Sequence, residues 1–192
     1  MSKADPAARK RERNKTIRWV VTIFLVTILV SGIISLLSEL LMAGSSVFGA
    51  FVILLTIIFI GIVFDIIGMA VASADEKPFH SMAARKVPGA QEAIALLRNA
   101  ERVSSICNDV VGDICGVVSG SASAAIAVQI LNNFDFSWPQ IASLAMSALA
   151  AGLTVGGKAL GKGFAVNSST LIVHTVGKLI HALRCKHRRK KK

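Results

Sequence analysis

Charge is scarce in this chain, and two long stretches have no basic residue at all. Only 17% of its 192 residues are charged, where a soluble domain carries about a quarter. No Lys or Arg occurs between Trp19 and Glu76, or between Val103 and Gly157. Hydrophobic residues make up 53% of the chain and fall in long blocks, a pattern that excludes an ordinary soluble domain. Cysteine is sparse too. Cys107 and Cys115 stand eight positions apart on one expected helix, about 12 Å along its axis and too far for a disulfide. Cys185 lies in a basic tail expected to face a reducing cytoplasm. No metal–thiolate spacing occurs. There is no nucleophile elbow, phosphate loop or His–carboxylate pairing outside the apolar blocks, so no enzyme and no organic cofactor is expected.

What charge there is has a pattern. The net charge is +11, from 22 basic and 11 acidic residues, with the basic residues confined to 3–18, 77–102, 158–162 and 178–192. Basic residues restricted to alternate connections follow the positive-inside rule. That places both termini in the cytoplasm of a multi-pass cell-membrane protein. Nucleic acid is not an expected partner, because no module of interleaved aromatic and basic residues accompanies the basic runs. Anionic lipid headgroups are, since each surface cation gains roughly 1 kcal/mol there.

The expected fold is an all-α integral membrane bundle of four transmembrane helices, at about 19–41, 47–73, 103–131 and 141–157. The first two lengths fit the roughly 20 residues needed to span a bilayer. The first apolar stretch is about twice a signal-peptide core and lacks a small-x-small cleavage site, so it reads as a retained anchor. Segment 1–18 is a basic cytoplasmic arm with seven basic residues, and 19–165 forms the membrane domain. Between the second and third helices an amphipathic helix at about 80–100, punctuated by Pro78 and Pro88, should lie along the cytoplasmic interface. The same holds for 166–192, an amphipathic helix ending in a basic tail, where His174 and His181 share one interfacial face. Phe136 and Trp138 belong to an outer loop. On the third helix Gly112, Gly116, Gly120 and Ala124 recur four apart, a small-residue face suited to close helix packing in lipid and to a homodimer.

Three acids break the apolar blocks: Asp65, Asp109 and Asp113. An acid at mid-membrane costs on the order of 2.5–3.5 kcal/mol on insertion scales, so such residues tend to face the protein interior and to mark ion or proton paths. Asp109 and Asp113 are four apart and share a helix face. Asn108 and Ser105 add amide and hydroxyl oxygens within about two turns. Oxygen-rich sites suit hard cations, and magnesium needs only one or two carboxylates while keeping several waters. With no basic residue expected inside the span, a bound cation or a proton is the expected compensation. The alternative is that these acids lie near the cytoplasmic interface and reach water: Asp109 is only about 9 Å of helix from the expected membrane edge.

Four short motifs, in order, extend the reading. They are AVASA at 70–74, MAARKVPGAQEAIALLRNAERV after it, ICNDVVGDI at 106–114, and Lys158-Ala159-Leu160 after the fourth helix. Over roughly 55–165 this organisation resembles the transmembrane domain of the CNNM and CorC/CorB magnesium transporters. Those proteins carry Ala-Leu-Thr-Ser-Ala, a Leu-Ala…Gly…Ala…Leu-Leu juxtamembrane pattern, Ile-Gly-Asn-Asn-Leu-Val-Asn-Ile and Pro-Lys-Thr-Leu at the corresponding places. The resemblance implies a dimeric domain with a magnesium site between helices, built from Ser, Gly and Asn oxygens and an acid. Residue by residue it carries over to Asn108, to the backbone at Cys107 and to Ser73. The family's glutamate falls on Gly68 here, with Asp65 one turn earlier as a possible substitute. Its second and third asparagines are Asp109 and Asp113, its proline is Gly157, and the acid before that proline is missing. The first helix is an addition. No cytoplasmic regulatory domain is expected after it, so nucleotide sensing would be absent or supplied by a partner.

The expected function is membrane transport of a divalent cation, with Mg²⁺ as the transported ion, through oxygen ligands drawn from Asp65, Ser73, Ser105, Cys107, Asn108, Asp109 and Asp113. The competing expectation is a non-transporting membrane scaffold that packs partner helices through its small-residue faces.

Overall fold

A computed structural model describes residues 6–133 and 139–189. The expected interfacial aromatics Phe136 and Trp138 lie outside the described residues. In chain order the elements are α1 (Pro6–Ala43), α2 (Val47–Ser73), α3 (Lys77–Ala84), α4 (Ala90–Arg98), α5 (Ala100–Ser105), a π-helical segment (Ile106–Gly112), α6 (Asp113–Asn133), α7 (Pro139–Asn167) and α8 (Ser169–Arg189). Among the described residues there is no strand. Among the same residues four stretches are long and apolar enough to cross a membrane: Thr16–Met42, Val47–Ser73, Ala100–Asn132 and Gln140–Asn167. The chain is an all-α, multi-pass membrane protein.

Three boundaries differ from those expected. The first helix begins at Pro6, so residues 6–18 continue the membrane helix rather than forming a separate arm; Pro is well tolerated in a first helical turn, where its missing N–H is not needed. The interfacial helix at 80–100 is two helices, α3 and α4. The break falls around Pro88, where Lys86 and Gly89 have φ of 56° and 86°, values that no α-helix accommodates. The fourth membrane helix does not stop near 157 but continues to Asn167. Gly156 and Gly157 do not end it, because the following Lys158, Ala159 and Leu160 are strong helix formers and the extended helix packs along α2.

α2 is the centre of the bundle, with α6, α7 and the π-helical segment around it. Ser46 caps it, its hydroxyl accepting from the Gly49 N–H at 3.3 Å. Lipid tails are as apolar as Leu, so packing within a bilayer rests on close fit rather than on water exclusion. Gly157 and Gly161 of α7 supply that fit: Ile62 and Ile66 of α2 sit where glycine Cβ atoms would be. On the opposite side, a Cβ at Gly61 would lie 2.8 Å from the Cβ of Cys115. Toward one end Leu54, Ile58, Ala122, Ile126 and Ala150 form one buried cluster. Toward the other end Ala70, Val71, Phe79, Leu97 and Val173 form another, joining α2 to α3, α4 and α8. α1 lies at the edge, with Ile23, Val30 and Ile34 against Val110, Ile114 and Val118.

Candidate functional site

Between those two clusters the apolar packing is interrupted by polar groups from three elements. Asp65 of α2 is 6% exposed, a carboxylate placed where a lone charge is expensive. Its Oδ1 is 3.6 Å from the Lys158 ammonium of α7. Lys158 also donates to the Gly112 carbonyl at 3.4 Å. Asp65 Oδ2, by contrast, is buried and has no hydrogen-bond partner. A buried acceptor without a partner costs about 1–3 kcal/mol, more when charged.

One turn along α2 from Asp65 lies Gly68. Here the π-helical segment comes so close that a Cβ would meet the Asn108 side-chain oxygen, with the Asn108 Cγ at 2.8 Å and the Cys107 Cβ at 2.9 Å. Only glycine permits that approach. Asn108 donates its amide to the Ser104 hydroxyl at 3.2 Å, which leaves its Oδ1 buried and unpartnered. Two buried acceptors, the Asp65 carboxylate oxygen and the Asn108 amide oxygen beside Gly68, are therefore left without a donor. The π-helical geometry of Ile106–Gly112 contributes as well. A π turn widens the helix and shifts carbonyls away from regular α spacing, and such turns recur at functional sites. Gly112, at its end, lies against both Asp65 and Lys158.

Of the remaining expected ligands, Cys107 alone adjoins this group. Asp109 is exposed and accepts from the Ser105 hydroxyl at 2.7 Å. Both line an open groove with Trp19, Ala72, Ala100, Glu101 and Ser104, a lining that does not include Asp65. Asp113 is also exposed. Ser73 is exposed and donates to the Met69 carbonyl of its own helix at 2.8 Å. Cys107 is buried beside Gly68. The expected meeting of three acids at one depth is thus corrected: among the described residues no group of three His, Cys, Asp or Glu side chains is placed to hold a metal. Asp109 and Asp113 share a face in sequence, but the wider π turn between them and the exposed side of α6 carry that face outward.

The expectation that no basic residue neutralises the acids is also corrected. Lys158 does so for Asp65. In sequence Lys158 reads as a marker of the cytoplasmic exit, whereas α7 has ten residues from Lys158 to its end at Asn167. The legible signal was the spacing: Gly157 and Gly161 are four apart on α7, as are Ile62 and Ile66 on α2, and that register sets Lys158 beside Asp65.

The small-residue face divides. Gly112 packs inward at the site, while a Cβ at Gly116 or Gly120 would meet nothing within 4 Å, and Ala124 is exposed. The face that binds α6 to its own neighbours is instead Val118, Ala122, Ile126 and Ala127 with the buried Ser119 and Ser123.

Compared with known protein families, with curated proteins and with solved structures, the chain matches none.

Proposed function

We propose that the chain moves a divalent cation, with Mg²⁺ as the expected ion, and that Asp65 and Asn108 are its protein ligands. The observation that carries this reading is the pair of buried, unpartnered oxygens, Asp65 Oδ2 and Asn108 Oδ1, the second packed against Gly68, one helical turn from Asp65 on α2. One carboxylate plus neutral oxygens and waters is sufficient for Mg²⁺. The resemblance to the CNNM and CorC/CorB proteins supports the choice of ion and places Asn108 in the same role. Asp109, Asp113, Ser105 and Ser73 are not ligands in this reading.

The test is Mg²⁺ uptake into proteoliposomes. Asp65→Asn should reduce flux at least tenfold and Asn108→Ala severalfold, while Asp109→Asn should retain most of it. Loss in the Asp109 variant with retention in the Asp65 variant overturns the assignment.

A scaffold is the second reading, and one observation favours it: the Lys158 ammonium already offsets the Asp65 charge. It predicts that neither Asp65→Asn nor Asn108→Ala alters any ion flux. In either reading the basic ends hold anionic headgroups of the cell membrane, and the open Gly116–Gly120–Ala124 face is offered to a second copy.

A further inference from the structure

We infer that Lys158 is a tethered occupant of the cation site, an ammonium that holds the place of the ion and must withdraw for the ion to bind. The inference rests on the cation reading above and adds the device that regulates access to it.

Three observations lead there. The Lys158 ammonium is bound by one oxygen of Asp65 and by the Gly112 carbonyl, so it already uses the two kinds of oxygen that a hard cation seeks. Its distances, 3.6 and 3.4 Å, are long for charge-assisted hydrogen bonds, which run near 2.7–2.9 Å; the ammonium is held loosely. And it leaves Asp65 Oδ2 free although that carboxylate is 94% buried (6% exposed), so the site has acceptor capacity that the lysine does not fill. A divalent ion bound at Asp65 would sit within a few ångströms of this ammonium. In a low-dielectric interior two like charges at such separation repel strongly. Ion and ammonium therefore exclude one another. The Lys158 side chain is 20% exposed where Asp65 is 8%, so the lysine retains a route out, and its flexible stem lets the charged end move to water while the stem stays packed.

Charge accounting supports the exchange. With the lysine in place the site sums to zero, which removes the need for a bare buried carboxylate between ions. With ion and ammonium both present it would reach +2, and with the lysine withdrawn +1. Each state that avoids the double occupancy is the less costly one, so the lysine acts as a gate with the same charge sign as the cargo.

The experiment uses the full chain in lipid nanodiscs, with Mg²⁺ titrated and melting temperature read as binding. Lys158→Gln should lower the apparent Kd for Mg²⁺ at least tenfold, Lys158→Arg should not, and adding Asp65→Asn to Lys158→Gln should abolish the gain. A Lys158→Gln variant that is folded and binds Mg²⁺ no more tightly than the wild type overturns the inference while leaving the cation reading intact; absence of any Mg²⁺-dependent shift in the wild type and in Lys158→Gln overturns both. A second readout needs no variant. Amine labelling followed by mass spectrometry should show Lys158 reacting severalfold faster with Mg²⁺ present, with Lys162 unchanged, and equal or slower Lys158 labelling contradicts the exchange.

Discussion

Asp65 and Lys158 are opposite charges held where neither is stable alone. Removing one partner of such a buried pair strands the other charge, and losses of about 3–5 kcal/mol are typical, whereas replacing both with neutral groups of similar shape is often close to neutral. Asp65→Asn should therefore lower stability by about 3 kcal/mol, and the Asp65→Asn, Lys158→Gln double variant should recover most of that loss in the same denaturation assay. Equal loss in single and double variants would mean that the two side chains act independently, against their separation of 3.6 Å. At this scale the sequence was only partly legible. An acid inside an apolar helix announces itself; that its partner is a lysine 93 positions later follows from a helix register that no local pattern displays.

Helices meet in this protein through glycines, and two kinds of glycine position differ in what they tolerate. Gly89 combines a φ of +86° with the Lys178 backbone nitrogen 2.5 Å from where its Cβ would be. Gly89→Ala should cost more than about 2 kcal/mol through strain at that backbone angle together with overlap, measured as a fall in melting temperature. Gly116→Ala, with nothing within 4 Å, should be silent in the same measurement. α8 is further tied to α4 by His181 Nδ1 and Glu92 Oε1 at 3.0 Å. The His181 hydrogen bond is the main cause holding the Glu92 carboxyl below its usual pKa, against the opposing effect of its burial. A carboxylate whose folded pKa is depressed stabilises the fold above its unfolded value, and that contribution disappears as pH falls through the lowered one. Amide exchange in α8, corrected for its intrinsic pH dependence, should accordingly be slow at neutral pH and should quicken as pH falls through that lowered value. Glu92→Gln should quicken it already at pH 7, and exchange insensitive to that substitution would count against the tie. The spans were legible from apolar blocks and basic flanks. The extent of α7 was not, because Lys158 reads locally as a membrane boundary while packing against α2 draws it inside. Nor was the π turn, since its widening depends on Gly68 offering the room that Asn108 needs.

Taken as a whole, the described residues form a membrane bundle whose apolar packing at both ends flanks the polar groups around Asp65, with α3, α4 and α8 joined to α2 by the cluster around Phe79 and Val173. The acids that looked equivalent in sequence are divided by this architecture into one buried carboxylate and two exposed ones. In the proposed function the buried one is the ligand. Difference infrared spectroscopy of the protein in nanodiscs, with and without Mg²⁺, reads carboxylate stretching bands directly. With Asp65 as ligand, an Mg²⁺-induced carboxylate shift should be present in the wild type and in Asp109→Asn and absent in Asp65→Asn. A shift that survives Asp65→Asn, or vanishes in Asp109→Asn, contradicts it.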